Sequence, residues 1–166
     1  MRLSPKTVIT TNYDKLLESV SENTFKVHSF TSTSVAHEVR MGEPVLIKIH
    51  GSVDDSSNLI LTRSDFAKVR KSGRHALDVV QSLFMTRPAL FVGYSFNDPD
   101  IHLLLENVVG REERTSHYLL TDSSIPNYRE QMYGQVYGTA VIKFAKNNFD
   151  EMERMIDLLA ATASTG

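Results

Sequence analysis

The sequence contains no cysteine. Disulfide bonds, thiolate nucleophiles and zinc sites built on thiolates are therefore excluded. The sequence also lacks long apolar runs, since none approaches the roughly 20 residues that a membrane-spanning helix needs. The amino-terminal stretch MRLSPKTV has no apolar segment of the kind found in signal peptides. We therefore expect a cytoplasmic protein with no membrane partner.

A basic excess is missing as well. The 18 lysines and arginines are outnumbered by 20 aspartates and glutamates, which gives a formal net charge of -2 at pH 7. Proteins that bind nucleic acid without sequence preference usually carry a basic domain or a basic stripe. We therefore expect no nucleic-acid partner.

The length and the apolar pattern predict one folded α/β domain over residues 1–166. The chain has 166 residues, of which 41% are hydrophobic, and these values are typical of a protein with a single core. Short continuous apolar runs such as VLIKI, ALFVG and AVIKF alternate with segments of helical spacing. Continuous runs are typical of strands that helices cover on both faces of a parallel sheet. We therefore expect three layers with a doubly wound, mostly parallel sheet.

Strands and helices are expected to alternate along the chain. The predicted strands are Thr7–Thr11, Phe25–Phe30, Val45–Ile49, Leu59–Thr62, Ala89–Tyr94, His117–Thr121 and Ala140–Phe144. The clearest predicted helices are Asp14–Val20, His75–Thr86, Pro99–Val109, Ile125–Tyr133 and Phe149–Ala161. Open sheets of this kind bind ligands beyond the carboxyl ends of their strands, so a functional site is expected there.

Polar residues follow three of the predicted strands. The first group is TTNYD at residues 10–14, the second is KIHGS at 48–52, and the third lies in VGYSFNDPD at 92–100. In the third group, Gly93 and Ser95 lie where backbone amides at a helix start bind anions. Taken together, the three groups favour a ligand site over a set of unrelated turns.

Each group also has a structural interpretation. Asp14 and Asp98 suit helix caps, and Asn12 suits a turn that its own side chain holds by bonding the backbone. His50 is either a structural histidine or a general base, because imidazole titrates near neutrality. The residues alone leave both interpretations open.

The ordered set of motifs resembles a known family. TTNYD, KIHGS, LTRSDF and LFVGYSFNDPDI, followed by HYLL and AVIKF, are similar to the sirtuin-like domains of bacterial anti-phage defence proteins that hydrolyse NAD. The resemblance covers nearly the whole chain. It implies a Rossmann-like, sirtuin-like NAD-binding fold and hydrolysis of NAD to nicotinamide and ADP-ribose, with a cyclic product as a variant.

The resemblance also implies roles for individual residues. Asn12 would position the nicotinamide side of NAD and the attacking water, with Asp14 in the same pocket. His50 would act as general base on the nicotinamide ribose. These residue types suit the cleavage of a glycosidic bond, which needs charge stabilisation and a proton acceptor more than a strong acid.

The remaining implied contacts concern the rest of the dinucleotide. Gly93 and Ser95 match a Gly-x-Ser motif that contacts ribose and phosphate. Thr11 and Asp98 complete the expected NAD-binding set. NAD is expected as substrate, and no metal is expected.

The sequence departs from the family pattern in two ways. The four cysteines of the deacetylase zinc ribbon are absent, so NAD hydrolysis is favoured over removal of acyl groups from lysine. The eight glycines form no Gly-x-Gly, and only MRLSPK precedes the first strand. We therefore expect a fragment or short form that lacks the first β-α unit, with an open sheet edge that a second copy or a partner chain covers.

Two alternatives to an enzyme follow from the second departure. One is a non-catalytic module that binds NAD or ADP-ribose in an incomplete pocket. The other is an interaction protein in which the motif residues serve only as caps and turns.

Overall fold

The computed structural model describes residues 3–62, 64, 65, 67, 69, 75–109 and 117–163. These residues belong to two compact units, Leu3–Val80 and Gln81–Gly166, which we call the amino-terminal and the carboxyl-terminal unit. Arg63 and Phe66 of the LTRSDF motif lie outside the described residues. Each unit has its own parallel sheet and is described by itself.

Strands and helices alternate in the first part of the amino-terminal unit. In chain order they are β1 (Thr7–Thr10), α1 (Leu16–Val20), β2 (Lys26–Ser29), α2 (Val35–Met41), β3 (Val45–Lys48) and a short 3-10 helix (Ser56–Asn58). A further helix, α3 (His75–Thr86), spans the boundary between the units. The carboxyl-terminal unit continues with β4 (Leu90–Val92), α4 (Pro99–Val109), β5 (His117–Asp122), α5 (Asn127–Tyr137), β6 (Thr139–Phe144) and α6 (Phe149–Ala163).

The sheet of the amino-terminal unit has the order β1-β3-β2, and both pairings are parallel. Lys48, the last residue of β3, is opposite Thr10 of β1 and Ser29 of β2. All four residues of β3 are buried. The apolar run Val45–Ile47 therefore reflects the central position of this strand, and Lys48 at its end is a buried polar residue.

The sheet of the carboxyl-terminal unit has the order β4-β5-β6 and is also parallel. Its central strand β5 is paired along its whole length with β6, from His117 opposite Thr139 to Asp122 opposite Phe144. The ring of Phe144 lies 6.3 Å from that of Phe149, the first residue of α6. Parallel sheets flanked by helices confirm the predicted α/β class.

Two elements differ from the prediction. Leu59–Thr62 is not a strand, because the backbone of Ile60 bonds to loops: its N–H donates to the His50 carbonyl at 3.0 Å, and its carbonyl accepts from the Tyr13 hydroxyl at 2.6 Å. Helix α2, which has seven residues and ends at a left-handed Gly42, is not among the clearest predicted helices. Within the described part of the chain, no helix has the length and apolar character needed to cross a membrane.

A glycine fixes the turn that follows β3. Gly51 has φ +89°, and a Cβ at this position would lie 2.2 Å from the Asn58 carbonyl oxygen. Gly42 also has a positive φ, +72°, but a Cβ there would meet no atom within 4 Å. Of these two glycines, only Gly51 combines a left-handed backbone with a close approach of the chain.

The two glycines form a matched pair for mutation. We expect Gly42→Ala to lower the free energy of unfolding by about 1–2 kcal/mol, the cost of a left-handed L-residue. Gly51→Ala should cost that amount plus about 1–3 kcal/mol for the overlap with Asn58. Urea denaturation of both variants measures the difference, and equal losses would contradict the structure.

A buried histidine begins β5. His117 is fully buried, its Nδ1 accepts the Ala89 N–H at 3.2 Å, and its ring lies 5.5 Å from that of Phe84. Burial lowers the pKa of the His117 imidazole below its ordinary value of 6.5. The folded protein therefore holds this ring neutral where the unfolded chain protonates it.

We expect His117 to reduce stability in mild acid. Below pH 6.5 the unfolded chain takes up a proton at His117 that the folded protein resists, so the free energy of unfolding falls until the lower folded pKa is reached. His117→Asn keeps an acceptor for Ala89 but does not titrate. Its stability relative to the wild type should therefore improve by up to about 1.4 kcal/mol per pH unit in that window.

Urea denaturation between pH 7.5 and pH 5 tests this expectation. His37→Asn serves as control, because His37 is exposed on α2. Its pH course should follow the wild type. Parallel pH courses for the wild type and His117→Asn would refute the expectation.

Candidate active site

The register of the amino-terminal sheet places two predicted catalytic residues together. Thr10 and Lys48 are paired across β1 and β3, and Asn12 and His50 each lie two residues beyond that pair. Because the strands are parallel, the segments that follow β1 and β3 leave the sheet at the same edge. Asn12 and His50 are therefore at one edge.

The TTNYD loop is shaped by its own side chains. Thr10 Oγ1 accepts the Asn12 N–H at 3.1 Å, so Thr10 rather than the Asn12 side chain holds this backbone group. Asp14 Oδ1 accepts the N–H of Leu16 at 3.0 Å, but the N-cap position of α1 is Lys15, so Asp14 bonds the first helical residue from one position before the cap. The side chains of Asn12 and Asp14 are exposed, and that of Thr11 is half-buried. The loop thus presents an amide and a carboxylate to solvent.

Tyr13 links the TTNYD loop to the segment after His50. Its hydroxyl donates to the Ile60 carbonyl at 2.6 Å, and its carbonyl accepts the Val53 N–H at 3.0 Å. The rings of Tyr13 and His50 have centroids 6.2 Å apart. Since Ile60 also bonds to the His50 carbonyl, the two loops share a common set of backbone contacts.

A buried ion pair lies beneath the same loop. The Lys48 ammonium donates to Glu18 Oε1 at 2.9 Å, to the Tyr13 carbonyl at 3.3 Å and to the Asp14 carbonyl. Lys48 and Glu18 are both buried. Sequence reasoning missed this pair, although a lysine inside the apolar run VLIKI is a signal, because lysines are almost never fully buried without a partner.

The VGYSFNDPD segment of the carboxyl-terminal unit leads from β4 into α4. Asp98 Oδ1 accepts the Asp100 N–H at 2.9 Å, and the Asp98 carbonyl accepts the His102 N–H at 3.2 Å. These bonds confirm that Asp98 caps α4, which begins at Pro99. Gly93 has φ +63° and is exposed, so the chain turns at this point with its backbone accessible.

Phe96 holds the segment in a strained conformation. Its φ is +54°, rare for a bulky residue, and its side chain is 1% exposed. Aromatic rings surround it, with centroids 4.5 Å away at Tyr133, 5.2 Å at Phe91 and 5.6 Å at Tyr137. The burial of this ring stabilises a turn that leaves the preceding Ser95 exposed.

A cavity of about 190 Å³ lies at the carboxyl ends of β4 and β5. Its polar lining includes Tyr94, Ser95, Asp122, Ser124 and Arg129. Burial, with the nearby Asp98 carboxylate, raises the pKa of the Tyr94 hydroxyl far above its ordinary value, so this group keeps its proton. The cavity therefore offers hydrogen-bond donors, a carboxylate and a cation.

Asp122 supplies the carboxylate of that cavity. Its Oδ1 accepts the Ser124 N–H at 2.7 Å and also the Ser124 hydroxyl. These hydrogen bonds from Ser124 lower the pKa of the Asp122 carboxyl, so it is ionised at neutral pH. Sequence reasoning missed Asp122, Ser124 and Arg129. The polar TDSS after the strand HYLL is the signal that could have found the first two.

The predicted site residues are thus divided between the units. Thr11, Asn12, Asp14 and His50 belong to the amino-terminal unit, and Gly93, Ser95 and Asp98 belong to the carboxyl-terminal unit.

Comparison with known protein families matches residues 6–142 of the chain to the SIR2-like domain. All of the predicted site residues fall within that range.

Several individual proteins are similar in sequence to this chain. The chain is 31% identical over 121 residues to the NAD(+) hydrolase ThsA of Enterococcus faecium, an alignment that covers 69% of this chain and 25% of that protein. It is 31% identical to ThsA of Bacillus cereus strain MSX-D12, over 72% of this chain and 26% of that protein. It is 25% identical to Defense-associated sirtuin 2 of Bacillus subtilis, over 96% of this chain and 17% of that protein.

The chain spans about a quarter or less of the length of these relatives. The family match nevertheless covers most of the chain and confirms the resemblance seen in its motifs. The chain belongs to the SIR2-like domain family.

Proposed function

We propose that this chain is a sirtuin-like domain that hydrolyses NAD to nicotinamide and ADP-ribose in bacterial defence against phage or stress. The observation that carries the proposal is the position of Asn12 and His50, each two residues beyond the paired Thr10 and Lys48. Membership of the SIR2-like family supports it, as do relatives named NAD(+) hydrolase and Defense-associated sirtuin.

The proposed reaction places three residues at the bond that breaks. Cleavage of the nicotinamide glycosidic bond gives the ribose oxocarbenium character and expels neutral nicotinamide. The Asn12 amide positions the attacking water, and the Asp14 carboxylate stabilises the developing positive charge. A neutral His50 takes the proton from that water, or from a ribose hydroxyl if the product is cyclic.

The carboxyl-terminal unit, taken by itself, carries groups that suit a ribose and a phosphate, and we propose that it binds these parts of a nucleotide. Asp122 and Ser95 in the cavity suit the hydroxyls of a ribose, and Arg129 suits a phosphate. Gly93, with its exposed backbone and no Cβ, allows a phosphate to approach the chain closely. Thr11 and Asp98 remain in the proposed binding set. The proposed chemistry uses no metal ion.

The first test removes the two proposed catalytic side chains. We expect Asn12→Ala and His50→Ala each to lower kcat by about 10²–10⁴-fold, the usual contribution of a positioned proton acceptor or polar group. Release of nicotinamide from NAD, followed by chromatography, measures the loss. Asn107→Ala and His37→Ala serve as controls, because both residues are exposed on helices and neither belongs to the three polar groups that follow the strands.

Two results would reject hydrolysis by this chain. One is nicotinamide release by the wild type that does not exceed release by the variants, even at high NAD. The other is a rise in the melting temperature on adding ADP-ribose with no turnover of NAD, which would favour the binding-module alternative.

The second test concerns the cavity. Asp122→Ala removes a carboxylate that we propose to bond a ribose, and hydrogen bonds to an ionised group are stronger than those between neutral groups. KM for NAD should rise about 10- to 100-fold, while kcat changes little because Asp122 is not assigned to the reacting bond. Asp150→Ala, an exposed carboxylate on α6, is the control. An unchanged KM in Asp122→Ala would exclude this role.

A further inference from the structure

The Lys48 ammonium has all of its hydrogen-bonding capacity used within the amino-terminal unit. Lysine offers three N–H donors and no acceptor. Here the three acceptors are Glu18 Oε1, the Tyr13 carbonyl and the Asp14 carbonyl. Its side chain is 1% exposed and that of Glu18 is 10% exposed, so water does not compete for these bonds.

Two of these acceptors belong to the backbone of the TTNYD loop. Loop carbonyls commonly face solvent, but those of Tyr13 and Asp14 are directed inward to the ammonium. The side chains of Asn12 and Asp14 are exposed in the same segment. Fixing the carbonyls therefore fixes the direction in which the amide and the carboxylate leave the chain.

Stability alone does not account for a buried ion pair at this place. Apolar residues of similar volume often replace such a pair without loss, or with a gain in stability. An apolar side chain, however, donates no hydrogen bond to a carbonyl. Lys48 provides hydrogen bonds to the backbone carbonyls of Tyr13 and Asp14, and an apolar residue would not.

Lys48 also connects this loop to the second part of the site. It is the last residue of the buried central strand, and His50 follows it by two residues. A side chain on a rigid strand holds a site more accurately than a loop alone. The same strand end thus determines where His50 leaves the sheet and how the TTNYD loop is held.

We infer that Lys48, neutralised by Glu18, is a positioning residue that orients Asn12 and Asp14 through the carbonyls of the TTNYD loop. The inference rests on the proposed function for its effect on turnover. Its effect on the loop itself is independent of any activity.

The test compares a single and a double substitution in the full chain. Lys48→Met leaves the Glu18 carboxylate buried without its partner, so this variant should be unstable. Glu18→Leu combined with Lys48→Met removes the pair together and should keep a melting temperature within a few degrees of the wild type. In the double variant kcat for NAD should fall about 10- to 100-fold, because small misplacements of reacting groups have effects of this size. KM should change much less.

Lys26→Met is the matched control. Lys26 is a lysine of the same sheet that pairs with Glu43, but it is exposed and lies at the opposite end of the strands. Its kcat should equal that of the wild type. A folded double variant with wild-type kcat would overturn the inference, and so would a double variant that fails to fold, because the pair would then be needed for the fold rather than for the loop.

Amide hydrogen exchange separates this inference from the proposed function. The Leu16 N–H bonds to Asp14 Oδ1 and the Val53 N–H bonds to the Tyr13 carbonyl, so both report on the loop. In the double variant these amides should exchange at least about tenfold faster, while amides of α2 keep their wild-type rates. If the wild type releases no nicotinamide, the proposed function fails, and unchanged exchange at Leu16 and Val53 would overturn the positioning role.

Discussion

The burial of β3 on every side is the constraint on which the amino-terminal unit depends. No residue of this strand reaches solvent, and both of its edges are occupied, by β1 and by β2. Polar chemistry is therefore confined to the ends of the strand. Because the pairing is parallel, the segments that follow the three strands leave the sheet at one edge, and Asn12 and His50 lie there. Lys48 connects the buried strand to the TTNYD loop, since the ammonium at the last position of β3 bonds to the backbone of that loop.

In the carboxyl-terminal unit, different interactions order the segments at the ends of the strands. Its central strand β5 ends in Asp122, and a cap at Asp98 starts the helix that follows β4. Between β4 and α4, the strained backbone of Phe96 is stabilised by aromatic packing rather than by a buried charge. In the amino-terminal unit the hydrogen bonds of Lys48 order the loop, and in the carboxyl-terminal unit the buried ring of Phe96 does so. Both leave short polar side chains accessible at the carboxyl ends of parallel strands, where ligands of α/β proteins bind.

Sequence patterns predicted the features that neighbouring residues determine. The apolar run of β3 indicated a central strand, and Asp98 before Pro99 indicated a helix start, because both depend on local spacing. Lys48 and Glu18 are thirty residues apart, so no window of sequence shows that one neutralises the other. Leu59–Thr62 has the composition of a strand, but the backbone groups of Ile60 are taken by Tyr13 and His50, which only the folded chain brings near. The site motifs were visible, whereas the contacts that hold them were not.

The hydrogen bonds at Val53 and Ile60 determine where the length of the chain can vary. Val53 is anchored to Tyr13 and Ile60 is anchored to both Tyr13 and His50, so each end of the intervening loop is fixed by its own bonds. The residues between these anchors include Asp54, which pairs with Lys15, and the exposed Ser56 and Ser57 of the 3-10 helix. Loop closure becomes only slowly more costly as a loop grows. An added peptide would thus extend outward from this loop while the strand ends beneath it stay in place, which makes it an attachment point for a reporter group beside the site.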